Sequence, residues 1–354
     1  MMSRSPGILG MLLSAGLMSL GAPVAVRAAP ATPDELFARA DEALTAGRTE
    51  EAASLYGEAL AADPRHWPSL CRLGEIDASA RRYPEAERRL RAAVEINGDN
   101  GRCLSRLAQV LLVQDKTAEA EPYLARAAEL MPADEGVLFN LARLYETTGR
   151  LDKALETYEK YLAAAPTSSR AGTAHLKVAR MLNQARLPAE AIGHYEAFLR
   201  SQPDKNEVRA ELAAALMASS KYPEALAEYD KVIAAGAADP AALANAGSIC
   251  LLMQELPRAV ELLEKSVAAD KAPIPPRIGL ATALAQSGEH ARAVEVLRTV
   301  TADDPQNNRA WYLMGQSLMK LGKAREAREA LERHRAIHER IMKERMTAEP
   351  QGHP

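Results

Sequence analysis

The chain has 354 residues, of which 26 % are charged, with a net charge of −3 and aromatic residues at only 4 %. A charge so close to balance supplies no bulk basic field for nucleic acid. With so few aromatic residues, and Ala and Leu carrying the apolar share, the composition argues against a β-sandwich and for closely packed helices.

The first element is N-terminal. Arg4 precedes an apolar stretch from Ile8 to Leu20, interrupted by Gly10 and Gly16, and Gly21, Pro23 and the small-residue segment Val26-Arg27-Ala28-Ala29 follow. This layout predicts a secretory signal peptide over 1–28, with cleavage after Ala28 or after Ala31. The apolar stretch falls short of the roughly 20 residues a membrane helix needs. An uncleaved signal that anchors the chain in a membrane is the alternative. No Cys lies near the cleavage zone, so a lipoprotein signal is not expected. The implied location is the periplasm, with no membrane span in the mature chain.

From residue 33 onward the chain is periodic. Alanine recurs at Ala52, Ala86, Ala120, Ala154, Ala191, Ala225, Ala259, Ala293 and Ala327, and seven of the eight intervals are 34 residues. A period of this length marks a helical repeat array. Setting that alanine at position 20 divides the chain into repeats 33–66, 67–100, 101–134, 135–168, 172–205, 206–239, 240–273, 274–307 and 308–341. Position 8 is always Ala or Gly and position 24 is always Tyr or Leu. Two antiparallel helices approach closely only where both present small side chains, which positions 8 and 20 do. Proline at position 32, as in Pro64, Pro132, Pro166, Pro203 and Pro305, stops the second helix. Glycine at position 15, as in Gly47, Gly149, Gly288 and Gly322, suits a left-handed cap on the first. Helix A is thus expected over positions 2 to 14 and helix B over 18 to 31. Three extra residues around Thr167 to Ala171 predict a longer helix A or connection in the fifth repeat, and a division of the array into halves there. After the ninth repeat, a charged helix from Ala324 to about Lys343 reads as a solvating cap, with 342–354 holding its end and a disordered tail.

In the fourth repeat, Leu138, Leu141, Ala142, Tyr145, Gly149, Ala154, Tyr158 and Pro166 closely resemble the tetratricopeptide repeat family, as do Trp311, Met314, Gly315 and Leu318 in the ninth. The resemblance covers 33–341 and implies an all-α, right-handed superhelical solenoid of about nine helix-turn-helix repeats. It also implies that helix-A positions 2, 5, 9, 12 and 13, with 6 at the edge, line a concave groove that holds a protein or peptide. In repeats three to five those positions supply Arg102, Arg106, Gln109, Asn140, Arg143, Lys177, Arg180 and Asn183, together with Ser105 and one main acid, Glu146. Five cations in this group suit a carboxylate or acidic segment of a partner. In repeats six to eight the lining turns apolar, with Met217, Leu251, Leu252 and Ile278 as candidates for burying a hydrophobic peptide. Some family members clamp a C-terminal carboxylate with a Lys, Asn and Arg set. Asn140 and Arg143 match in type, but Ser105 and Phe139 stand where the Lys is expected, which puts that mode in doubt.

Cys71 and Cys103 occupy positions 5 and 3 of successive A helices and are candidates for a disulfide, whereas Cys250 is expected to be a buried thiol. His334 and His338 share a helical face but have no third ligand at a fixed spacing, so no metal is expected. Phosphate-cradling loops and nucleophile elbows are missing from the sequence, so neither a cofactor nor an enzymatic activity is expected. The expectation is an exported scaffold that binds a protein or peptide in a cell-envelope assembly. Two alternatives stay open: a glycan-binding component of an export system, and a non-catalytic regulatory subunit of an envelope enzyme.

Overall fold

The computed structural model describes residues 31–268 and 272–347, with side chains to residue 344. The expected signal segment, both of its cleavage sites except Ala31, and residues 348–354 lie outside the described residues. Eighteen α-helices and no strand are present among those described, so the chain is an all-α helical-repeat solenoid. It divides into two compact units at Gly98 and Asp99, not at the insert in the fifth repeat.

The first unit holds α1 (Pro33–Thr45), α2 (Thr49–Ala62), α3 (Trp67–Ser79) and α4 (Tyr83–Ile96). Thr32 opens α1 with a capping box: its hydroxyl accepts from the Glu35 amide at 3.3 Å, and its own amide donates to Glu35 Oε2 at 2.9 Å. Ala40, Ala52, Tyr56 and Ala59 are fully buried where α1 crosses α2. Asp77, although 1 % exposed, is held by the guanidinium groups of Arg82 and Arg89, so its charge is paired where burial alone would be costly.

The second unit holds α5 (Gly101–Val113), α6 (Thr117–Leu130), α7 (Glu135–Thr147), α8 (Leu151–Ala164), α9 (Ala171–Gln184), α10 (Pro188–Ser201), α11 (Asn206–Ala218), α12 (Tyr222–Ala234), α13 (Pro240–Leu252), α14 (Leu256–Val267), α15 (Ile274–Gln286), α16 (His290–Asp303), α17 (Asn308–Lys320) and α18 (Ala324–Thr347). Each odd-numbered helix packs against the next as a hairpin, and each hairpin packs against its successor. Along the odd-numbered series, α11 also touches α13, α13 touches α15, and α15 touches α17. The A helices therefore form one wall of this unit and the B helices the other.

Most helices begin one residue earlier than the repeat register predicts, spanning about positions 1–13 and 17–30. The reason is visible in α5, α7, α13 and α17, where Asn100, Asp134, Asp239 and Asn307 just outside the helix accept an amide three residues on. The three-residue insert is shared. The connection into α9 covers residues 165–170, six residues where its counterpart 131–134 has four, and α9 has 14 residues where α7 has 13.

All nine hairpins turn on a left-handed residue at position 15. Gly occupies it four times, and Arg81, Asp115, Arg186, Ser220 and Gln254 occupy it otherwise, with φ between 59° and 63°. The turn is closed the same way each time, by an amide at position 16 donating to the carbonyl at position 11. Examples are Arg82 to Asp77 at 2.8 Å, Arg150 to Tyr145 at 2.9 Å and Glu255 to Cys250 at 2.8 Å.

Candidate partner-binding site

The candidate residues of the third to fifth repeats lie on α5, α7 and α9, in the second unit. On α7 the packing face is Leu138, Leu141, Ala142 and Tyr145, all buried. Asn140 and Arg143, one turn apart, are left facing outward, half-buried and exposed respectively. On α5, Arg102 and Arg106 are exposed, and the Arg106 guanidinium donates to Gln109 Oε1 at 3.0 Å. Gln109 in turn donates to Ser105 Oγ at 3.5 Å.

Lys177 and Arg180 are neutralised by carboxylates on the neighbouring A helices. Lys177 Nζ on α9 meets Glu146 Oε1 on α7 at 2.6 Å. The Tyr158 hydroxyl donates to the other oxygen of that carboxylate at 3.0 Å. Burial first, and then the Glu146 charge, hold the Tyr158 phenol far above its ordinary pKa, so it stays a proton donor. Arg180 forks onto Glu211 of α11, with Nε to Oε2 at 2.9 Å and Nη2 to Oε1 at 2.7 Å. Burial first, and then the Glu211 charge, likewise push the Tyr195 phenol up. The wall is thus less basic than expected, because Glu211 was not counted among its acids. Arg143 and Asn140 make neither a hydrogen bond nor an ion pair among the described residues.

Leu252, at the end of α13, is 62 % exposed, and Met217 and Leu251 are half-buried. Ile278 is a correction: it is buried in the core with Ala281, Val294, Leu297 and Met314, because α15 turns that side toward α16 rather than along the wall. Sequence reasoning missed a cavity of about 440 Å³ on the same wall between α15 and α17. The small Ala285 and the polar Gln316 at wall positions are the only signal for it in the sequence.

Three other cavities are a consequence of the repeat. One of about 800 Å³ lies among α16, α17 and α18, one of about 470 Å³ among α6, α7 and α8, and one of about 430 Å³ among α10, α11 and α12. Each is the dent between two successive B helices with an A helix as its floor, so the recurrence identifies packing geometry rather than a dedicated site.

Cys71 and Cys103 are buried, and Cys250 is a buried free thiol. The His334 and His338 rings stack at 6.0 Å between centroids, with Tyr312 against His334 at 5.1 Å. Among the described residues no three His, Cys, Asp or Glu side chains gather as a metal-holding group, and no helix is long and apolar enough to cross a membrane.

Two family models, each described as tetratricopeptide repeat, match the chain, one at 43–110 and 111–177 and the other at 176–240 and 210–273. The chain belongs to the tetratricopeptide repeat family. Repeats of this family generally build non-catalytic scaffolds that bind proteins or peptides. A third model, described as anaphase-promoting complex, cyclosome, subunit 3, matches 253–334.

Among curated relatives, the human antiviral innate immune response effector IFIT1 is 39 % identical over 79 residues, covering 22 % of this chain and 16 % of that protein. Human tetratricopeptide repeat protein 7B is 34 % identical over 112 residues, covering 32 % and 13 %. The chain thus spans less than a fifth of the length of either. Of the solved structures, Naa15/Naa10 bound to HypK-THB aligns with a TM-score of 0.53 at 18 % identity, over 71 % of this chain and 39 % of that one. YrrB, a TPR protein with an unusual peptide-binding site, aligns at 0.43 and 22 % identity over 52 % and 91 %. At these identities the Naa15/Naa10 likeness is one of fold.

Proposed function

We propose that this protein is an exported adaptor of the cell envelope whose A-helix wall in the second unit holds a protein or peptide partner, with an acidic segment of the partner at Arg143. The observation that carries this reading is the pairing register of the wall. Position 9 of one repeat meets position 6 of the next: Asp41 pairs with Arg72 in the first unit, and Arg180 with Glu211 in the second. By that register Arg143 is opposed by Lys177, a like charge, and Lys177 turns instead to Glu146. Among the described residues Arg143 is therefore left without a carboxylate, beside an Asn140 that also makes no hydrogen bond. A guanidinium fork of this kind matches an incoming carboxylate with two parallel donors.

The test is crosslinking capture from a periplasmic extract with the full chain and with Arg143→Glu. Retained wild-type capture that the variant loses supports the reading, and equal capture by both counts against Arg143. The export part rests on the residue pattern of 1–28 and is tested by N-terminal sequencing of the mature protein. A start at Met1 would count against it.

A further inference from the structure

The last hairpin carries a pair of histidines that the A-helix wall does not use. Elsewhere the imidazoles are engaged or buried. His66 has one ring nitrogen on Ser69 Oγ at 2.8 Å and the other on Asp34 Oδ1 at 3.1 Å. His175 and His194 hold each other through Nδ1 atoms 3.0 Å apart, and His290 has a buried Nδ1. His334 and His338 stand four residues apart on α18, about one helical turn, so both project from the same face. Their rings are 6.0 Å apart between centroids and 24° from parallel.

His334 is already oriented. Its Nδ1 lies 3.3 Å from the carbonyl oxygen of Asn308, the first residue of α17. A carbonyl only accepts, so Nδ1 carries the proton, and the lone pair of the neutral ring is on Nε2. That Nε2 makes no hydrogen bond among the described residues and is not sealed from solvent. Tyr312 backs the ring at 5.1 Å between centroids, and Gln316 Nε2 holds the Tyr312 hydroxyl at 2.6 Å. A backbone carbonyl on one imidazole nitrogen is the arrangement that fixes the tautomer and ring plane of a metal ligand at the other. His338 is exposed, makes no hydrogen bond among the described residues, and has room to turn its ring toward the same point.

We propose that His334 and His338 chelate one copper(II) ion. Two neutral imidazoles suit a borderline transition-metal ion, whereas calcium and magnesium take oxygen ligands. Copper(II) stands highest in the affinity order of the divalent ions for such nitrogens, and its square arrangement accepts two adjacent ones with water at the other positions. A third protein ligand is therefore not required. The chelate also has a mechanical consequence. His334 sits level with the first residue of α17, so α18 runs on from there to Thr347 past the end of its partner helix. Holding His338 to His334 fastens the first turn of this overhang to the part of α18 that α17 anchors.

The test is a copper(II) titration of the full chain, read by electron paramagnetic resonance and by hydrogen exchange over α18. The wild type should take up one copper(II) ion at this site, with two imidazole nitrogens in its spectrum. Amides following His338 should exchange more slowly as that equivalent binds, while calcium leaves them unchanged. His338→Gln, at an exposed position, should weaken uptake by at least about a hundredfold, since losing even an outer partner of a metal ligand costs roughly 10–100-fold. It should also abolish the slowing, and His334→Gln should do the same. Uptake and exchange unaltered by His338→Gln overturn the proposal, as does sensitivity to His338→Gln without sensitivity to His334→Gln. A wild type whose bound copper(II) shows a single imidazole, or leaves α18 exchange unchanged, overturns it too. The chelate is on α18 and Arg143 is on α7, so failure here leaves the partner-binding reading standing.

Discussion

Replacing Gly247 with alanine isolates the close approach on which every hairpin depends. Gly247 holds position 8 of the seventh repeat, where α13 crosses α14. A Cβ there would lie 2.7 Å from Leu263 Cγ, 3.2 Å from Leu263 Cδ2 and 3.3 Å from Leu262 Cβ. Leu263 is fully buried, so it has no open space to move into. Forcing a methyl into such a core costs about 1–3 kcal/mol. Against this, alanine is the better helix former by about 1 kcal/mol in a helix interior. The net expectation is a destabilisation of roughly 0–2 kcal/mol. Gly193 in α10 is the matched control: nothing lies within 4 Å of its added Cβ, so Gly193→Ala keeps only the helix gain and should stabilise by about 0.5–1 kcal/mol. Urea unfolding followed by far-UV circular dichroism gives the two midpoints. A repeat array need not unfold in one step, so hydrogen exchange over α13–α14 and α9–α10 assigns each change to its hairpin. If Gly247→Ala stabilised its hairpin as much as Gly193→Ala does, close approach would not explain why position 8 is glycine in the seventh repeat.

Tyr158→Phe keeps a buried ring but removes the hydroxyl that donates to Glu146, so it should cost about 1 kcal/mol, read from the unfolding midpoint; an unchanged midpoint refutes the bond. His175 and His194 face each other with Nδ1 atoms 3.0 Å apart, and burial lowers both pKa values, with their mutual charge adding to the effect on His175. The unfolded chain then binds more protons, so stability should fall as pH drops through the ordinary histidine range near 6.5. His194→Gln should flatten that part of the profile, and an identical profile would refute the assignment. Burial pushes the Cys250 thiol up to about 11, so a thiol reagent should find no reactive group in the folded protein and one on unfolding without reductant. Three thiols on unfolding would contradict disulfide bonding at Cys71 and Cys103.

The fold was readable because its determinants repeat. A small residue at positions 8 and 20 with Tyr or Leu at 24 recurs in all nine hairpins, and in the first eight each such set lies buried at a helix crossing, as Ala142, Ala154 and Tyr158 do. The turn was only half readable. Glycine marks the left-handed position in four repeats, but Arg81, Asp115, Arg186, Ser220 and Gln254 adopt it without that marker. Their strain, of the order of 1 kcal/mol each, is offset by the carbonyl of position 11, which captures the amide of position 16. That compensation is backbone geometry and leaves no residue signature. Helix starts shifted for a related reason: Asn100, Asp134, Asp239 and Asn307 each cap from outside, and the repeat period alone does not distinguish a cap from a first helical residue.

The wall was readable in its cations and not in their partners, and the cause is the register between repeats. Counting charges along one helix makes α9 look basic through Lys177 and Arg180. The acids that neutralise them lie 31 residues away in either direction, Glu146 behind and Glu211 ahead. An offset of 31 is one repeat of 34 less the three residues that separate position 6 from position 9. It also relates Asp41 to Arg72. Lys177 and Glu146 reach the same offset by another route, since the insert lies between them and joins position 6 to position 12. Arg143 therefore has a cation in its partner's place, and the cation's own demand is met elsewhere. Ordinary solvated surface charge does not require such an arrangement, because a glutamate at 177 would have continued the pattern. A like charge at 177 leaves the Arg143 guanidinium without a carboxylate among the described residues, and the proposed contact with an acidic segment rests on that.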